Sequence, residues 1–262
     1  FYGLELQRDG SDAITDLLIE NNVIRDNSRA GIDIDFSVAH GITIRGNEVF
    51  ANRDGIYVGL WNVWSADSIS DVLIFRNDIH SNTLHGISVE DIDVIESEAI
   101  AIEENRVHNH FRGTEFRIDR RYAGTGISLG QAVARNNEVY HNYIGIAEGS
   151  LVELNLIHGN KTGLDGPATV QKNRIFGNFV GLSDGENVTS NLFYNNQNAA
   201  IDVTGAELNV IGNTFFEPSA DAISIREATG PTSLRNNLIS VASGTALRVD
   251  AESQTQFDSD YN

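Results

Sequence analysis

The sequence predicts an all-β fold, a single parallel β-helix (solenoid) of about ten coils over residues 1–262, on three observations. An apolar-x-x-Asn-x-apolar pattern recurs along the whole chain. In step with it, a small residue followed by Ile or Leu opens a stretch of period-two alternation. No segment of helical period and useful length separates these repeats.

The recurring Asn residues are Asn22, Asn47, Asn77, Asn105, Asn137, Asn155, Asn173, Asn191, Asn213 and Asn237. Two positions after each stands an apolar side chain, as in Ile24, Val49, Ile79 and Phe193. Three before each stands another, as in Ile19, Ile44, Val152 and Leu234. Each unit then reaches a pair such as Gly31-Ile32, Gly55-Ile56, Gly86-Ile87, Gly126-Ile127 or Ala200-Ile201. Alternation follows, as in Gly-Ile-Asp-Ile at 31–34, which marks a strand with one buried face. Units this short carry two or three small strands and bury a core only by stacking on their neighbours. With coils about 4.8 Å apart, ten of them make a rod about 50 Å long.

The Asn has a structural role at a corner of every coil, where it is expected to take the left-handed conformation and bond a turn. Stacked amides also bond along the rod. A second Asn follows five residues later in seven units: Asn27, Asn52, Asn82, Asn142, Asn160, Asn178 and Asn196.

The spacing Ile/Val-x-x-Asn-x-Ile-x-x-Asn with Gly-Ile strands resembles the right-handed parallel β-helix repeats of pectate-lyase-like proteins. The resemblance covers essentially the whole chain and implies a single-stranded right-handed solenoid. That scaffold hosts lyases, hydrolases, epimerases and inert shafts alike. At the start, Tyr2-Gly3-Leu4-Glu5-Leu6-Gln7 is similar to mannuronan C5-epimerase modules, which carry Tyr-Gly-Phe-Asp-Pro-His there. It implies that Tyr2 matches a catalytic Tyr and Glu5 an acidic residue. Gln7 stands where that family has its catalytic His, so the likeness is one of scaffold.

Composition narrows the function classes. The chain carries a formal charge of −19 with 40% hydrophobic residues, enough for a sizeable core. Its acidity argues against nucleic acid, whose phosphates need a basic face. The absence of Cys excludes disulfides and thiolate metal sites. No run of about 18 apolar residues offers a membrane-inserting helix. Only Lys161 and Lys172 are Lys among 18 basic residues. This acidic, Lys-poor, Cys-free make-up suits an extracellular or cell-surface setting. Starting at Phe1 rather than Met, the chain reads as a piece of a larger secreted protein, with flanking coils or domains as partners.

The coils between Asn137 and Asn191 are minimal, and the extra residues gather in the first half. One insertion holds Trp61 and Trp64, the two Trp of the chain. A second is an acidic run with Glu90, Asp91, Asp93, Glu96 and Glu98. A third holds Arg112, Arg117, Arg120, Arg121 and Tyr122 beside Glu115 and Asp119. Solenoid insertions tend to gather on a binding face, so these are expected to wall the Gly-Ile sheet. Its floor would carry Asp33, Asp35, Tyr57, Ser88, Glu90 and Ser128. Arg forks bind carboxylate or sulfate, and Trp faces stack on sugar rings. The acidic run has the oxygen ligands calcium takes. Structural readings stand beside these: Arg paired with surrounding acids, Trp covering a coil edge, and a solvated acidic face.

A lyase or epimerase acting on a uronate needs a charge neutraliser, a base and an acid. His85 with Tyr57, Glu90 on the same face and an Arg from the third insertion form one such set. A glycoside hydrolase would instead use two carboxylates, from Asp33, Asp35 and Glu90. His80, His108, His141 and His158 read as turn residues. The leading expectation is an extracellular module that binds an acidic polysaccharide and processes it as a lyase or epimerase would. Its rivals are a non-catalytic shaft or adhesin-type module and a hydrolase.

Overall fold

The computed structural model describes residues 1–8, 14–36, 39–59, 69–90, 99–110, 124–205 and 207–262. Among these, three parallel sheets of 11, 10 and 12 short strands run the length of the molecule. Between the two terminal coils, each coil contributes one strand to each sheet. One coil runs Ala30–Phe36 in the first sheet, Ala39–Arg45 in the second and Glu48–Phe50 in the third. The next begins at Asp54–Gly59, paired with Ala30–Phe36. This is a parallel β-helix, the fold class the repeat predicts.

The three apolar positions of the repeat become three inward rows. Ile32, Ile56, Ile87 and Ile127 follow one another in register in the first sheet. Ile44, Ile74 and Ile102 do so in the second, and Val49, Ile79 and Val107 in the third. All ten are fully buried. Each such side chain stabilises the fold by roughly 1.5–3 kcal/mol. The small residue before Ile has a steric cause: a Cβ on Gly55 would lie 2.4 Å from the carbonyl oxygen of Gly86 in the next coil.

The corners correct one expectation. The ladder Asn is not itself left-handed; the residue before it is, as at Arg76 (φ 53°), Leu154 (φ 59°) and Lys172 (φ 57°). That residue turns the chain, which aims the following amide inward. Asn155 shows the result: its Nδ2 donates to the carbonyls of Ala134 (3.0 Å) and Glu153 (2.9 Å) and to Oδ1 of Asn173 (3.1 Å). Its own Oδ1 accepts from Asn137 N–H (2.9 Å) and Nδ2 (3.0 Å). The same forward donation runs from Asn22 to Asn262. In the second ladder His110 occupies one rung, its Nδ1 taking the N–H of Asn82 and its own N–H donating to Asn142.

A second expectation also changes. His80, His108 and His158 lie in third-sheet strands, not turns. Constant register brings them into one stack with Phe50, Tyr140, Phe176 and Tyr194, successive ring centroids being 4.5–5.1 Å apart. Only His141 of that set sits at a left-handed corner (φ 54°).

Candidate functional site

The longest coils adjoin the start of the first sheet, and there its outward face forms a cleft of about 260 Å³. Three rows cross it. In the first, Ala30, Asp54 and His85 are in register. In the second, Glu5, Asp33, Tyr57, Ser88 and Ser128 succeed one another. In the third, Asp35, Gly59 and Glu90 do. Ahead of the strands stand Arg29 and Arg53, the Arg53 N–H donating to the Arg29 carbonyl at 3.0 Å.

Five residues expected from the sequence, Asp33, Asp35, Tyr57, His85 and Glu90, line this one cleft. Ser88 is buried and donates its hydroxyl to Glu90 Oε1 at 2.8 Å, so it supports the floor rather than facing the cleft. Ser128 lies one coil beyond the lining, half-buried beside Ser88. Trp61, Trp64, Arg112, Arg117, Arg120, Arg121 and Tyr122 lie outside the described residues, as does the acidic run beyond Glu90. Among the described residues, no three His, Asp or Glu side chains are grouped to hold a metal ion.

Sequence reasoning missed Arg29, Arg53 and Asp54 and set Tyr2 aside. All four line the cleft. Tyr2 carried a signal, since it belonged to the epimerase-like hexapeptide. The others sit just before or at the start of a first-sheet strand, where the apolar pattern is silent. The Arg29 guanidinium donates to the Tyr2 hydroxyl and lies 5.2 Å from the Tyr2 ring centroid.

Burial sets the electrostatics. Asp33 is only 6% exposed. Its burial, with Asp35 and Glu5 adding negative charge, pushes its carboxyl up to about 6 against an opposing hydrogen bond from Tyr2. Asp54, 8% exposed, is also pushed up to about 6 by burial. Arg53 and the backbone of His85 oppose that rise, and Glu90 adds to it. Among the described residues nothing hydrogen-bonds Oδ1 of either carboxyl. Burial, then Arg53, pulls His85 down to about 4, so its imidazole is neutral except in acid. The cleft thus holds two carboxyls able to exchange protons near neutrality, a neutral imidazole, two phenols and a margin of guanidinium groups.

The fold and cleft define a parallel β-helix protein with a titratable polar site on its first sheet. No protein-family model matches the chain, and neither does any curated protein or solved structure.

Proposed function

We propose that the chain binds an acidic polysaccharide across the first-sheet cleft and processes it by proton transfer, as a lyase or epimerase would. The observation that carries this reading is one cleft holding Arg29 and Arg53 on a margin, with Asp33 and Asp54, both near 6, behind them. Removing the proton beside a uronate carboxylate requires that carboxylate to be neutralised, and Arg forks do this by bidentate pairing. Arg53, with its side chain 57% exposed, is open to such a partner. A carboxyl near 6 can donate a proton to a leaving or ring oxygen and recover it. Neutral His85 and the tyrosines supply further hydrogen bonds. Tyr2 also lines the cleft, and Glu5 lies one coil from Asp33, in register with it. The acidic, Lys-poor composition supports an extracellular or cell-surface location.

The pair Asp33 and Asp54 favours a second reading, glycoside hydrolysis by two carboxyl groups. Incubation with alginate and polygalacturonate in deuterated water separates these outcomes. Elimination yields an unsaturated uronate absorbing in the ultraviolet. Epimerisation incorporates deuterium without cleavage, and hydrolysis yields reducing ends without unsaturation. Absence of both binding and turnover on uronate polymers would leave a structural shaft.

A further inference from the structure

Tyr57 and Gly59 stand two residues apart on the same side of one first-sheet strand, Asp54–Gly59. A Cβ on Gly59 would lie 2.5 Å from the Tyr57 hydroxyl and 2.7 Å from Cε1 and Cζ of its ring. The phenol therefore lies along its own strand, over the bare Cα of Gly59. Gly59 is in register with Asp35 on one side and Glu90 on the other. Coils lie about 4.8 Å apart, so the hydroxyl fills the place of a missing side chain in a row of carboxyl groups. Glu90 is held there by the hydroxyl of Ser88, itself the register neighbour of Tyr57.

We infer that Gly59 is a positioning residue that sets the Tyr57 hydroxyl between Asp35 and Glu90, where it hydrogen-bonds a neutral hydroxyl of the bound sugar. The inference rests on the proposed binding of a uronate polymer. Two flanking carboxylates repel a third, so a uronate cannot turn its carboxylate toward this margin. It turns instead to Arg29 and Arg53 at the opposite end of the same strands, which directs the ring hydroxyls to Tyr57. Gly59 thereby fixes which way the sugar ring lies across the sheet.

The test uses the full chain with ring-labelled tyrosine and the variants Gly59→Ala, Tyr57→Phe and Asp35→Asn/Glu90→Gln. The atoms a Cβ would meet lie on a side chain that can swing away, so Gly59→Ala keeps its thermal melt. The Tyr57 Cζ resonance, assigned by its loss in Tyr57→Phe, is expected to move in Gly59→Ala. Its response to carboxylate titration in the wild type is expected to vanish in Gly59→Ala and in the double carboxyl variant. Binding of a uronate oligosaccharide should weaken about tenfold in Gly59→Ala and in Tyr57→Phe. It should weaken no further when both are combined, since the two remove one interaction. An unmoved resonance in Gly59→Ala, or additive losses in the combined variant, overturns the inference. A wild-type chain that binds no uronate oligomer overturns the proposed function and the hydroxyl's part in it. The resonance measurement then still decides whether Gly59 positions Tyr57.

Discussion

Both carboxylate oxygens of Glu217 accept hydrogen bonds from Asn196, one from its backbone N–H and one from its Nδ2, each at 2.7 Å. The repeat would place the next ladder amide at position 218, which is Pro. Glu217 reaches in from one residue earlier, fully buried, and terminates the second ladder with an acceptor.

Burial pushes Glu217 up to about 7, against the opposing pull of the two Asn196 bonds. A folded value above the unfolded one means that the folded state holds the proton more tightly. The stability linked to Glu217 is therefore complete below about 4.5 and is lost as pH rises through about 7, by roughly 3 kcal/mol at most. Thermal melts from pH 5 to about 8.5 should fall more steeply for the wild type than for Glu217→Gln. Parallel curves would mean that Glu217 stays ionised throughout.

His110 produces the opposite slope. It is fully buried, and burial pulls it down to about 3, against bonds to the backbone of Asn82 and Ile79. Its folded value lies below the unfolded one, so its stability is present above about 6.5 and lost as pH falls toward 3. His110→Asn restores the amide rung and removes the titrating group. Acid unfolding should shift to lower pH in that variant, with the lowered groups His85, His108, Glu153 and Asp250 still contributing acid dependence. An acid midpoint equal to that of the wild type would exclude His110 as a source of acid lability.

Asn155→Ala tests the first ladder. Asn155 is 2% exposed and serves Asn137, Ala134, Glu153 and Asn173 at once. Truncation leaves buried donors and acceptors unpaired, costing about 3 kcal/mol where a surface change costs well under about 1. Equal denaturation midpoints for Asn155→Ala and wild type would show the amides to be dispensable.

In the cleft, Arg53→Ala should weaken uronate binding roughly tenfold at low salt and less at high salt, because exposed ion pairs are screened. Replacing Arg120 and Arg121 together should act the same way if their insertion walls the sheet. Turnover that relies on protonated Asp33 or Asp54 should decline as pH rises through about 6. A pH-independent rate, or an active Asp33→Asn/Asp54→Asn variant, would rule those carboxyls out as the acid.

The core was legible because its rule is local. Each coil must aim Ile56, Ile74 or Ile79 inward from the same place in its own repeat, so short offsets from the ladder Asn identify the inward rows, Ile127 after the long third insertion being the exception. The same regularity flagged the amide ladders, and the insertions marked the end of the first sheet where the cleft lies. Asp33, Tyr57 and Glu90 were found because outward positions alternate with the apolar ones, and His85 because it directly precedes Gly86.

The rest depended on relations between coils of unequal length. Which outward residues meet is set by register, as when His85 falls beside Asp54 and Tyr57 beside Ser88. Within the first sheet that register follows the Gly-Ile pairs, whereas how closely the side chains of successive coils pack depends on corners and insertions that the repeat leaves free. The sequence by itself determined the solenoid, its inward rows and the sheet that carries polar groups. Only the tertiary structure decided that Arg29, Arg53 and Asp54 join the cleft and that His110 and Glu217 replace amides. It alone also placed the Tyr57 phenol over Gly59 and brought Asp33 and Asp54 near 6. Desolvation and cross-coil contact create those properties, and both arise only when coils distant in sequence stack.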